Sequence, residues 1–258
     1  MSVRNLTAHH EGDFPYQVSL QRVVLGLRYH SCGGSILSSN ANLTAGHCAV
    51  YIVSMTTVTP HLTFFPRCLD QVTGLDLQVQ DVKHKSVAPN DIAVFLLESS
   101  LSLGTYVQAI SLPSAGSIPA GGSIAVLSGW GATETANTPD ILQTVDVTVI
   151  DYETCSQNID DLDLGSNPLT ETMVCTGPIY DGISVCGKYS DIFNHSLMFD
   201  RVQGDSGGSL AQNGELIGVV SWECTHVITQ ALRPSTPEYP LTWTSSTKTG
   251  EESFHLYK

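Results

Sequence analysis

Three short segments hold the residues best suited to chemistry. Gln203-Gly204-Asp205-Ser206-Gly207-Gly208-Ser209 sets a serine among glycines, Leu43-Thr44-Ala45-Gly46-His47-Cys48 carries a histidine, and Asn90-Asp91-Ile92-Ala93-Val94 puts a carboxylate before an apolar run. A serine hydroxyl is a poor nucleophile until a base takes its proton. Glycines on both sides of Ser206 permit a tight turn and bring backbone N–H groups near its oxygen, where they can stabilise an oxyanion. A histidine with a carboxylate behind it would complete a triad, and His, then Asp, then Ser is one of the chain orders in which triads occur. Each segment alone has a plainer reading: a structural histidine beside a cysteine, a capping aspartate, a glycine turn. Their coincidence in one chain, in that order, points to nucleophilic acyl transfer.

Such a triad has to be assembled by the surrounding elements, and these read as strands. Val18 and Leu20 alternate with polar neighbours, as do Leu75, Leu77 and Val79, and Val145, Val147 and Val149. Ile92 to Leu97 reads as a buried strand and Leu216 to Ser221 as another. Gly33-Gly34, Asn40-Ala41-Asn42, Pro89-Asn90, Gly121-Gly122 and Asn213-Gly214 supply turns between them. Strands at this spacing, with few helix-period segments, predict an all-β barrel or sandwich. The Ser-, Pro- and Gly-rich stretch from Leu103 to Gly122 would join two halves of similar size, and no internal repeat relates them.

Composition narrows the partners. The 258 residues carry 25 Asp and Glu against 11 Lys and Arg, a formal charge of −14. That balance excludes the clustered cations a nucleic acid requires and opposes an anionic membrane surface. The run Ile92 to Leu97 is only six residues, where a spanning helix needs about 20. Met1-Ser2-Val3-Arg4-Asn5-Leu6 has no apolar signal core. The seven cysteines, Cys32, Cys48, Cys68, Cys155, Cys175, Cys186 and Cys224, include no Cys-x-x-Cys pair and no zinc-type cluster. No metal or cofactor is expected, and dispersed cysteines in a Gly-rich β chain suggest bridges and an oxidising compartment.

With the triad segments in view, the sequence resembles the chymotrypsin/trypsin family of serine proteases. Phe14 to Leu20 is similar to the family's first strand, Ser31 to Leu37 to the strand before its histidine, and Ser128-Gly129-Trp130-Gly131 with Leu142-Gln143 to the opening of its second barrel. Val220-Ser221-Trp222 resembles the strand that binds substrate backbone. The resemblance implies two six-stranded antiparallel Greek-key barrels with the active site in the cleft between them. A protease domain would cover 11–224, with barrel one over about 11–105 and barrel two over about 120–224. Segment 1–10 and tail 225–258 would be atypical. It also implies roles: His47 as general base, Asp91 as its orienting carboxylate, Ser206 as nucleophile, Gly204 and Ser206 as oxyanion-hole donors, and Asp205 as acceptor for a new N-terminal ammonium. Ser221 would hydrogen-bond near Asp91. Implied bridges are Cys32–Cys48, Cys155–Cys175 and Cys186–Cys224, leaving Cys68 over. The implied partners are protein or peptide substrates and proteinaceous inhibitors of an extracellular monomer.

In the family's trypsin-like members an aspartate lies two residues before the cysteine aligned with Cys186. Ser184 stands there, followed by Val185. Neither pairs a cation, so with Ser221 and Trp222 they predict a substrate pocket for large apolar side chains. The rival expectation is a protease homologue without catalysis, acting as a binding module, because the chain departs from the family in four places. Val3-Arg4-Asn5-Leu6 stands where the family begins Ile-Val-Gly-Gly. Sixteen residues, Gly187 to Val202, part Cys186 from Gln203. Val53 to Arg67 forms another extra segment. Both segments open on residues that can be encoded as a splice donor, so both read as retained intron sequence, with natural insertions as the alternative, and as loops adding little to either barrel. The tail has no amphipathic helix pattern, and its neighbouring frame can encode Gly-Val-Ser-Thr-Tyr, which reads as a frame shift and predicts a second barrel lacking its last strand.

Overall fold

A computed structural model describes residues 7–51 apart from Glu11 and Gly26, then 57–60, 75–79, 90–97 and 99–114. It also describes residues 117–161 apart from Ala132, Glu134, Thr135 and Asn137, and then 167–177, 204–223 and 227–231. The chain opens with the short strand β1 (Thr7–Ala8) and then builds its first sheet. That sheet comprises β2 (Gln17–Val24), β3 (Leu27–Ser38), β4 (Ala41–Thr44), β5 (Thr57–Pro60), β6 (Leu75–Val79) and β7 (Ala93–Leu97). The six strands are antiparallel in the order β5-β2-β3-β4-β7-β6. The helix α1 (Gly46–Tyr51) interrupts them directly after β4. Alternation in β2 buries Val18 and Leu20 against Ile36, Leu43, Val94 and Phe95, so the period-two pattern of the sequence becomes one side of a core.

The second half contributes β8 (Ile124–Gly129), β9 (Gln143–Ile150), α2 (Tyr152–Asp160), β10 (Met173–Gly177), β11 (Ser209–Gln212), β12 (Glu215–Glu223) and β13 (Val227–Ala231). They run β9-β10-β13-β12-β11-β8, and β8 also pairs β9, so six strands close on themselves and β1 adds at β9. Closure removes the exposed edges an open sheet would carry. Ala125, Leu127, Val147, Val149, Val174, Leu210, Ile217 and Val220 fill its interior. The fold is mostly β with few helices, in two antiparallel sheets, as the two-barrel chymotrypsin architecture requires.

Two expectations need correcting. The last strand is present: Val227–Ala231 pairs both β12 and β10, so barrel two runs past residue 224 into the stretch that reads as an atypical tail. Val, Ile and Thr within that stretch favour a strand on their own account. Segment 53–67 is more than a loop, because Thr57–Pro60 pairs Gln21 to Val18 of β2. Thr7 and Ala8 of the N-terminal segment lie opposite Thr144 and Gln143. Sequence reasoning also misses the helix α2. Asp151 caps it, accepting from the Thr154 N–H at 2.8 Å, a signal the sequence does carry.

Candidate active site

Between β4 and α1 the chain turns at Ala45, which places His47 in the first helical turn and holds its neighbour Cys48 in a disulfide to Cys32 of β3. Asp91 precedes β7, the strand paired to β4, so ladder register alone brings the two segments side by side. The carboxylate is almost wholly buried, at 3% exposure of its side chain, and it is fully engaged. Oδ1 accepts the backbone N–H of His47 at 2.6 Å. Oδ2 accepts from His47 Nδ1 at 2.7 Å and from Ser221 Oγ at 2.6 Å. Three charge-assisted hydrogen bonds offset the burial of a carboxylate. They also fix a tautomer: Nδ1 must donate, so Nε2 is left with a lone pair. Cys48 Sγ lies 3.7 Å from Nε2, yet a disulfide sulfur has no proton to give. Cys32, His47 and Cys48 cluster as closely as a metal site would, but both sulfurs are bonded to each other rather than held as thiolates.

Ser206 sits on a turn from Gly204 to Gly207 that enters β11. Glycine is required here. Gly204 has φ +127° and Gly207 φ +77°, conformations that side chains resist. A Cβ on Gly207 would run into Thr44 and Gly33, both on the first barrel. The turn is thus pressed onto the other half of the molecule, and the Gly33 N–H donates to the Ser206 carbonyl at 2.8 Å. This contact brings Ser206 to the Thr44–Ala45 turn that leads into His47. Among the described residues no hydrogen bond joins Ser206 Oγ to His47.

The Gly204 carbonyl is held from behind by His30, whose Nε2 donates to it at 2.7 Å. Since a carbonyl only accepts, Nε2 carries the proton and Nδ1 accepts from Ser19 Oγ at 2.7 Å. Burial pushes His30 below the ordinary histidine range, partly opposed by the bond to Gly204, which keeps the ring neutral. Sequence reasoning misses His30. It is one residue of an unremarkable strand, and nothing in its spacing marks it. Asp205 points the other way, enclosed against Gly129 and Gly131 where added Cβ atoms would collide with its carboxylate. Burial pushes its carboxyl above the ordinary range, against the one bond it accepts from the described residues, the Gly131 N–H at 2.8 Å.

The Cys32–Cys48 and Cys155–Cys175 bridges are formed. Cys186, Cys224, Cys68, Ser184, Val185 and Gly187 to Val202 lie outside the described residues. For Trp222 only the backbone is described, in β12 opposite Ile228. No described helix is long and apolar enough to cross a membrane.

The sequence model of the Trypsin family matches residues 4–187. Among curated proteins, the chain is 36% identical to Trypsin Blo t 3 of Blomia tropicalis over 82% of this chain and 73% of that protein. It is 34% identical to Trypsin-1 of Astacus astacus over 82% of this chain and 84% of that one. With Trypsin alpha of Drosophila melanogaster the identity is 35%, over 81% and 72%.

Proposed function

Because the chain belongs to the trypsin family of serine endopeptidases, we propose that it hydrolyses peptide bonds through an acyl-enzyme formed on Ser206. The observation that carries this reading is the doubly anchored His47–Asp91 pair, which leaves Nε2 with its lone pair, on the segment whose Thr44 and Ala45 meet Gly207 of the nucleophile turn. Ser206 Oγ attacks the substrate carbonyl carbon while His47 Nε2 takes its proton. Asp91 stabilises the imidazolium that forms, without itself taking the proton. The backbone N–H groups of Gly204 and Ser206 bind the developing oxyanion. Collapse breaks the C–N bond, and the leaving amine takes the proton from His47. Water then enters, His47 removes its proton, and hydrolysis of the ester frees Ser206.

Ser184 and Val185 at the pocket floor, with Ser221 and Trp222 along the substrate strand, favour large apolar or aromatic side chains over Arg and Lys, since a buried cation there would lack a partner. The paired cysteines favour an extracellular site of action, and protein or peptide substrates and proteinaceous inhibitors fit the family; a monomer suffices for a site built within one chain. A second reading, a homologue that binds without cleaving, is favoured by two features of the described residues: no hydrogen bond joins Ser206 to His47, and Asp205 accepts a bond from Gly131 alone.

A serine-directed phosphonate separates the two readings. Labelling of Ser206 in folded protein, lost in His47→Ala, is expected of the enzyme. Unlabelled folded protein indicates the binding module. A peptide library then reads the pocket: a profile led by Arg and Lys would overturn the apolar preference.

A further inference from the structure

We propose that Gln17 is a positioning residue for the reaction, holding the nucleophile turn of the second barrel at its working distance from the base on the first. The inference rests on the serine-protease reading above. Gln17 begins β2 in the first barrel and is completely buried, an unusual place for a long polar side chain. Its amide crosses to the second barrel. Oε1 accepts from Ser209 Oγ at 2.6 Å and from Ser128 Oγ at 3.0 Å, and Nε2 donates to the Ser128 carbonyl at 3.4 Å. The two serine hydroxyls lie 2.7 Å apart. Both serines are buried as well, and they face each other across the β11–β8 ladder.

Proton counting shows why this position needs an amide. Three contacts join the two hydroxyls and Oε1, and Ser209 is also hydrogen-bonded to the side chain of Tyr16. Ser209 gives its proton to Oε1, and Ser128 shares its own between Oε1 and Ser209 Oγ. Nε2 also donates to the Ser128 carbonyl, a contact that needs an N–H at this position. A carboxylate could accept both hydroxyls but would face that carbonyl with like charge, and an aliphatic side chain would satisfy neither side.

The location gives this cluster its leverage. Ser209 follows Ser206 by three residues at the mouth of β11. The Gly208 N–H bonds to Asp205 O at 2.8 Å, closing the nucleophile turn directly above Ser209. Gln17 lies opposite Ser35 of β3, the strand whose Gly33 N–H holds the Ser206 carbonyl. A Cβ on Gly33 would come within 2.7 Å of Gly208 Cα, so the two backbones touch at the same seam. His47 belongs to one barrel and Ser206 to the other, and Gln17 is a side chain that bonds across the boundary beneath them. A misplacement of about 1 Å between reacting groups costs about a hundredfold in rate.

The test uses the whole chain and reads both phosphonylation of Ser206 and turnover of a peptide substrate. Gln17→Leu keeps the volume and removes the amide. The expected result is a drop of about ten- to a hundredfold in kcat and in the phosphonylation rate constant, with KM little changed, since Ser221 and Trp222 move with Ser206. Gln17→Leu combined with Ser128→Ala and Ser209→Ala removes the two hydroxyls that Gln17→Leu alone would leave without their acceptor and is expected to regain part of the thermal stability without regaining kcat. Recovery of kcat together with stability would overturn the proposal, because Gln17 would then matter only for folding. Should Gln17→Leu fail to fold, Ser209→Ala removes the 2.6 Å bond to Gln17 and the 2.7 Å contact with Ser128 while leaving the amide in place, and is expected to lose several-fold in the same two rates. Wild-type rates in folded Ser209→Ala would also overturn it. If the wild-type protein itself is not phosphonylated, the protease reading fails first.

Discussion

Two buried carboxylates flank the candidate site, and the protein treats them in opposite ways. Asp91, on the first barrel, accepts three hydrogen bonds from His47 and Ser221. Asp205, on the second, accepts one from Gly131 among the described residues. The first is a finished electrostatic unit whose partners come from α1, set beside it by the β4–β7 ladder, and from β12 of the other barrel. The second is an enclosed carboxyl group whose neighbours among the described residues include Gly129 and Gly131, and burial pushes it above the ordinary range. The base is therefore positioned by charge-assisted hydrogen bonds, whereas the nucleophile turn is positioned by backbone fit and carries a carboxylate that would gain greatly from a cation. The expected need for an N-terminal ammonium at Asp205 rests on residues outside the described ones, but the chemistry that would attract one is visible.

The largest effect should come from the finished unit. In Asp91→Asn an amide nitrogen or oxygen must replace the carboxylate at His47 Nδ1, so the ring no longer has a reliable reason to keep its proton there. A fall in kcat of about ten-thousandfold is expected, the size of the loss that the same change causes in a related serine protease. Turnover of a peptide ester, corrected by active-site titration, measures it. A loss of under tenfold would mean that Asp91 is not the orienting group.

Gly33→Ala attacks the other half of the comparison, where fit replaces charge. Its Cβ would meet Gly208 Cα at 2.7 Å and Gly208 N at 2.8 Å, backbone atoms that have no rotamer to escape into. Overpacking of this kind costs about 1–3 kcal/mol. A lowered urea midpoint should appear together with slower phosphonylation of Ser206. An unchanged midpoint would show that the barrels part easily and that the seam does not hold the turn.

The pH dependence of stability sharpens the contrast between the carboxylates. For Asp205 the folded-state value lies above the ordinary 3.8. The unfolded chain therefore gives up its proton first as pH rises through that value, and stability falls until the folded carboxyl also ionises. Above that point the penalty is constant. Asp205→Asn keeps an acceptor for Gly131 and removes the penalty, so its urea midpoint should gain on that of the wild type as pH rises from about 4. A difference that does not widen would show that a cation already neutralises Asp205 in the folded chain.

Legibility from sequence follows the same divide. His47, Asp91 and Ser206 stand out because each lies in a short segment of distinctive chemistry, and resemblance places Ser221 near Asp91. Val18, Leu20 and the Val145 to Val149 alternation announce β2 and β9 because a half-buried strand has to alternate. His30, Ser19 and Gln17 give no such sign. Each acts through a partner more than ten residues away, on another strand or in the other barrel, and polar residues on a strand read as solvent-facing until the topology covers them. The strand Val227–Ala231 escapes a sequence reading because it adjoins a Pro-, Ser- and Thr-rich tail and takes on its irregular character. Thr57–Pro60 escapes because it lies in a segment that reads as inserted.

The smallest expected effect lies away from both carboxylates and serves as their control. Asn42 sits in β4 opposite Ile36 and Phe95, fully buried. Among the described residues neither its Nδ2 nor its Oδ1 has a hydrogen-bond partner. The sequence reads Asn40-Ala41-Asn42 as a turn, which suits Asn40, but Asn42 is already inside the sheet. Its amide left water and regained nothing, a cost of about 1–3 kcal/mol. Valine suits a buried strand position better than asparagine does, although it fills slightly less space and returns part of the gain. Asn42→Val should therefore stabilise the protein by about 1 kcal/mol, read as a higher urea midpoint at unchanged slope, with kcat unaltered. That combination would separate barrel stability from site geometry, the distinction on which the contrast between Asp91 and Asp205 depends. A destabilised Asn42→Val would instead identify a buried water that the amide holds, since such waters pair groups of this kind and are costly to remove.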